Sequence, residues 1–175
     1  GRTLEEAEEL AALARSKGVK VVVGLQARAA PAMLQMKQLV EEGYVGEIVS
    51  CSMRLVRGGV MARPSERTWQ RDDDLGATTL TIAAGHSIDA LRFVAGDFSE
   101  VSAVVSTQVP EWLETDTQQL LNVTAPDNIL INGRLANGAV VSAHVASIPW
   151  AGSGYRLEIY GREGTLVATA DDSPQ

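Results

Sequence analysis

NILINGRLANGAVVSAHVASI, residues 128–148, alternates apolar and polar positions on both sides of Asn137-Gly138, a dipeptide whose residues both readily accept positive φ. That pattern predicts two antiparallel strands joined by a tight turn. Outward from it, YRLEIYGREGTLVATA (155–170) repeats the arrangement around Gly161 to Gly164, while SEVSAVVSTQV (99–109) and EIVSCSMRLV (47–56) each read as a further strand. The apolar face of such a sheet needs a cover. LTIAAGHSIDALRFVAG (80–96) supplies one, predicting a helix over 79–95 packed on one side. The fold class is therefore α+β, an open, mostly antiparallel sheet with helices on one face. RGGVMARPSERTWQRDDDLGA (57–77) is the one long irregular stretch, and such loops are often functional or mobile.

The first thirty residues follow a different pattern. Thr3 and Glu6 form a capping box, Leu4, Ala7, Leu10, Ala11 and Ala14 recur at helical spacing, and Gly18 supplies the stop. VKVVVGL (19–25) is apolar without alternation, as a parallel strand covered on both faces would be, and Pro31 opens a second helix ending near Gly43. Helix, buried strand and helix point to a doubly wound sheet, which needs several such units. The chain is thus expected to begin inside a domain.

With 175 residues, 45% of them hydrophobic and 21% charged, the chain can bury one substantial core, which argues for a soluble globular unit. A net charge of −7 and fifteen scattered Lys and Arg residues oppose a nucleic-acid surface. No apolar run reaches membrane-spanning length, and the first residues lack the pattern of a secretory signal. The single Cys51 excludes an internal disulfide framework, fits a cytoplasmic setting, and reads as a buried strand residue in preference to a reactive thiol.

His86 stands inside the apolar helix, with Asp89 three residues on. At that spacing the carboxylate can accept a hydrogen bond from the imidazole and fix its tautomer, leaving the other nitrogen for a substrate hydroxyl. Three readings stand open: a core residue satisfying a buried partner, an acid/base, and a metal ligand. The metal reading is the weakest, because His144, the only other histidine, lies on the Val140, Ser142, Ala146 face of its strand and no third ligand accompanies the two. No metal site is expected.

Four stretches in order, GRTLEEAEELAALARSKGVKVVVGLQARAAP, LVEEGYVGEIVSCSM, LGATTLTIAAGHSIDALRFVAGDFSEVSA and LEIYGREGTLVATA, resemble the Gfo/Idh/MocA family of NAD(P)-dependent oxidoreductases. GATTLTIAAGHSIDALRFVAG looks most like the branch related to the fungal galactose-pathway repressor. The resemblance implies that residues 1–30 are the last part of a dinucleotide-binding Rossmann domain and that residues 31–175 are the C-terminal α/β domain, incomplete at its end. It implies NAD or NADP as cofactor of an intact parent. No G-x-G-x-x-G occurs here, so this chain alone is expected to be inactive and to bind no dinucleotide saturably.

The same resemblance places His86 at the family's catalytic histidine, with Asp89 beside it as the second catalytic candidate. It places Gln26 and Arg28 near the nicotinamide and Trp69 beside the substrate cleft. Arg28 also reads as a solvated helix-entry charge and Trp69 as an apolar plug under the loop. The departure is Ile82, where sugar-oxidising members carry an aspartate; isoleucine can neither move a proton nor hydrogen-bond a hydroxyl. Three functions follow: hydride transfer involving a sugar-like or polyol hydroxyl, a non-catalytic repressor-like sensor, and an oligomerisation module using the open sheet face. A homo-oligomer is expected.

Overall fold

The hairpin at 128–148 belongs to a six-stranded sheet in a computed structural model that describes residues 3–59 and 61–174. The strands of the chain are β1 (Ile48–Arg57), β2 (Ala62–Arg63), β3 (Phe98–Ser106), β4 (Glu111–Glu114), β5 (Gln119–Asn122), β6 (Asn128–Leu135), β7 (Val140–Ser147), β8 (Gly154–Gly161) and β9 (Thr165–Ala170). The large sheet runs β3-β6-β7-β1-β8-β9, and only the β7–β1 pairing is parallel. The first strand thus sits in the middle, between two hairpins from the far end of the chain.

Four α-helices accompany the sheets among the described residues: α1 (Leu4–Lys17), α2 (Pro31–Glu41), α3 (Ser65–Thr68) and α4 (Gly85–Ala95). α4 lies against β1 and α2 against both α4 and β9, on one face of the sheet. Alternation directs Cys51, Met53 and Leu55 of β1 into this layer, where they join Leu157 and Ile159 of β8, Val145 of β7, and Leu91 and Met33 from the helices. The opposite face is open. Its middle row reads Val104, Leu130, His144, Arg54, Arg156 and Thr169 across the register, and the next reads Ser102, Asn132, Ser142, Ser52, Glu158 and Val167.

Several expectations are corrected. VKVVVGL pairs with no strand among the described residues, and Val22 is 88% exposed, because one helix-strand-helix unit brings it no neighbouring strand. α1 forms as its caps predict, with the Glu6 N–H donating to Thr3 Oγ1 and Gly18 at φ 63°, yet it buries no residue. The stretch 57–77 is not irregular: β2, α3 and two 3-10 turns occupy it, and β2 joins β4 and β5 in a second, three-stranded sheet whose existence short strands around Trp112 did not announce. The helix expected over 79–95 is wound in two ways. Thr79–Ala84 is a π-helix, opened by reciprocal hydrogen bonding between Thr78 and Thr81, and only Gly85–Ala95 is α-helical. At the β6–β7 turn Gly138 alone takes positive φ, 93°, while Asn137 accepts the Ala139 N–H on its side-chain oxygen.

Candidate functional site

The π-helical stretch forms the wall of two adjoining cavities of about 370 and 230 Å³, which share Arg57, Ile82, Ala83 and Asp172. Its position is held by the Thr78–Thr81 cap and by the hydroxyls of Thr79 and Ser147, 2.9 Å apart, which tie it to the end of β7. Ile82 is 41% exposed and lines both cavities, so the residue at the departure from the family pattern does face the open space. His86 follows one turn later and lines the smaller cavity with Leu55 and Pro174. Its Nδ1 is shut from solvent without a hydrogen-bond partner.

Asp89 does not serve His86 as the spacing predicted. Its carboxylate receives the fork of Arg28, Nε donating to Oδ2 at 2.9 Å and Nη2 to Oδ1 at 2.6 Å. A guanidinium satisfies both carboxylate oxygens at once, which a single imidazole N–H cannot, and the pairing follows. The Arg28 hydrogen bonds hold the Asp89 carboxyl below its usual range against the opposing effect of burial. Two candidates assigned to different roles, Arg28 and Asp89, are thereby one structural unit linking the 3-10 turn Gln26–Ala29 to α4. Gln26 is exposed on that turn.

Trp69 is 46% exposed and lines neither cavity. The aromatic wall is Trp112 of β4, 6% exposed, with the Arg63 guanidinium 4.2 Å from its ring centroid. Arg57, Arg63 and Arg67 converge on the larger cavity, together with Asp127 and Asp172, and none of the five was singled out from the sequence. The available signal was three arginines between residues 57 and 67 in a chain of net charge −7.

His144 lies on the open sheet face, its Nε2 3.3 Å from Asn128 Oδ1, with the sheet between it and α4. Among the described residues no group of three His, Cys, Asp or Glu side chains is placed to hold a metal ion. Cys51 is buried, and burial pushes its thiol up to about 11, as expected for a packed strand residue. No helix among the described residues is long and apolar enough to cross a membrane. Of the two residues expected near a nicotinamide, Arg28 is engaged by Asp89 and Gln26 is exposed.

Residues 31–170 match the family model described as Gal80p, C-terminal domain. An uncharacterized oxidoreductase of Synechocystis is 30% identical over 97% of this chain and 46% of its own length. Levoglucosan dehydrogenase of Pseudarthrobacter phenanthrenivorans is 29% identical over 95% of this chain and 46% of its own. A structure of levoglucosan dehydrogenase in complex with NADH and L-sorbose superposes with a TM-score of 0.82 at 29% identity, covering 97% of this chain and 45% of that one. A super-repressor mutant of Gal80p from Saccharomyces cerevisiae gives 0.89 at 26% identity, covering 99% of this chain and 48% of that one. The chain spans less than half the length of these relatives. It shares the fold of enzymes and of a regulator alike, and it belongs to the Gal80p C-terminal-domain family, within the Gfo/Idh/MocA oxidoreductases.

Proposed function

We propose that this chain is the substrate-side domain of a cytoplasmic NAD(H)- or NADP(H)-dependent oxidoreductase acting on a sugar-like or polyol hydroxyl, with His86 as the acid/base. The observation that carries the reading is the imidazole itself, lining a cavity while its buried Nδ1 has no partner. The nicotinamide, held with Gln26 and residues outside this chain, supplies the hydride chemistry. His86 takes up the hydroxyl proton on oxidation and returns it on reduction. Asp89 acts at one remove, anchoring Arg28 and with it the turn that carries Gln26. Trp69, away from both cavities, stays outside this scheme. Residues 1–30 are read as part of the dinucleotide-binding domain, and the open sheet face as the contact with a second copy.

The second reading is a sensor without turnover. It is favoured by one feature, Ile82, which places an alkyl group on the cavity wall where a proton-carrying aspartate is expected. Nicotinamide absorbance at 340 nm, followed for the full-length protein against a panel of sugars and polyols, separates the two. Turnover of any member supports the oxidoreductase; dinucleotide binding with no turnover supports the sensor.

A further inference from the structure

The larger cavity holds more guanidinium than its own acids engage. Arg57 is paired with Asp172, Nε to Oδ1 at 2.9 Å and Nη2 to Oδ2 at 3.3 Å. Arg63 makes no ion pair among the described residues: Glu114, its register partner across β2 and β4, instead accepts from the Thr68 and Thr117 hydroxyls. The Arg63 Nη1 donates to the Gln70 side-chain oxygen at 2.6 Å and its plane lies over Trp112, which together fix the group and leave its charge unneutralised. The Arg67 side chain lines the same cavity with no hydrogen bond or ion pair among the described residues. The remaining acid, Asp127, accepts from the Gln108 and Val109 backbone N–H groups and the Asn128 amide, and organises its own loop. Burial, Arg67 and Arg57 all pull Arg63 below its usual pKa, the behaviour of a cation crowded by like charge in a partly dry wall.

Three arginines against two aspartates leave a surplus of one positive charge, concentrated at Arg63 and Arg67. A cavity of about 370 Å³ is of a size for a single-ring ligand. A carboxylate matches both features, being a monoanion whose two oxygens fit a guanidinium fork, whereas a phosphomonoester carries about −1.5 to −2 at neutral pH. We infer that the larger cavity selects a sugar acid, with its carboxylate held by Arg63 and Arg67 and the rest of the molecule directed toward the wall shared with His86. The assignment of a reacting hydroxyl to His86 rests on the proposed oxidoreductase function; the preference for the acid does not.

The test is calorimetric titration of the full-length protein with glucuronate, galacturonate and gluconate, beside glucose, galactose and galactose 6-phosphate. At least one acid is expected to bind roughly 10- to 100-fold more tightly than its neutral counterpart, as charge-assisted hydrogen bonds provide. Arg67→Gln, at an exposed position, reduces that ratio without disturbing the fold, and Arg63→Lys keeps the charge but loses the fork and reduces it as well. Rising salt narrows the ratio. The inference is overturned if no acid binds, if neutral sugars bind as tightly, if the phosphate binds more tightly than every acid, or if the preference survives both substitutions. Because binding is read without turnover, a protein that prefers the acid but oxidises nothing would retain this site and lose only the oxidoreductase reading. His86→Asn is expected to leave the acid preference in place.

Discussion

At the scale of single residues the structure separates His86 from Asp89, which the sequence reads as a pair. Since Nδ1 of His86 makes no hydrogen bond, His86→Asn strands no partner, so melting temperature should be nearly unchanged while turnover of the full-length enzyme falls by about two to four orders of magnitude. A lowered melting temperature with turnover per folded molecule retained would make His86 a core residue. Asp89 has the opposite profile. Its carboxyl is held below the ordinary value by Arg28, so the ion pair adds stability at neutral pH, and that contribution is lost as pH falls below the unfolded-state value of 3.8 and through the folded-state one. Asp89→Asn should therefore melt below the parent at pH 7, and the gap should close on acidification below pH 4. A gap independent of pH would remove the charge from the explanation. The sequence singled out His86 by its place in an apolar helix and, through the resemblance, as the catalytic candidate, whereas the Arg28–Asp89 pairing was not legible, since 61 residues separate its partners in the chain.

Among the elements, those with a local signal were readable and those with a tertiary cause were not. The β6–β7 hairpin, the β8–β9 hairpin and the α1 caps each follow from residues adjacent in sequence. The three-stranded sheet around Trp112 depends instead on a two-residue strand meeting another some fifty positions away, and nothing in the alternation of so short a run identifies it. The π-helical winding of Thr79–Ala84 likewise has no periodicity that distinguishes it from an α-helix over six residues. At the β6–β7 turn the strain is concentrated in one residue: Gly138, at φ 93° with open space where a Cβ would stand. Gly138→Ala should cost about 1–2 kcal/mol in denaturant titration from backbone conformation alone. Asn137→Ala should cost about 1 kcal/mol by removing the bonds to Ala139 and to the Ala95 carbonyl at the end of α4. Losses near zero for both would mean that the turn is not needed to set the register.

For the molecule as a whole, the open face of the sheet is the surface proposed to meet a second copy. The outward side of β7 carries Val140, Ser142 and His144, and small serines from β1 lie beside them. Ser52 and Ser142 lie side by side near the centre of that face, and the full-length protein is expected to be a dimer or larger assembly by light scattering. Ser142→Arg should shift it to monomer with its melting behaviour otherwise intact; a monomeric parent would discard the interface. The central placement of β1 reaches further, into how the chain is made. Ser50 is aligned with Val140, ninety residues downstream, and on its other side with Tyr160. Between emergence of β1 from the ribosome and arrival of β7, roughly 5–20 s of synthesis elapse at ordinary elongation rates. Throughout that interval the apolar row Cys51, Met53 and Leu55 has neither neighbouring strand, and nascent chains stalled before residue 140 are the species for which a chaperone has most to hold.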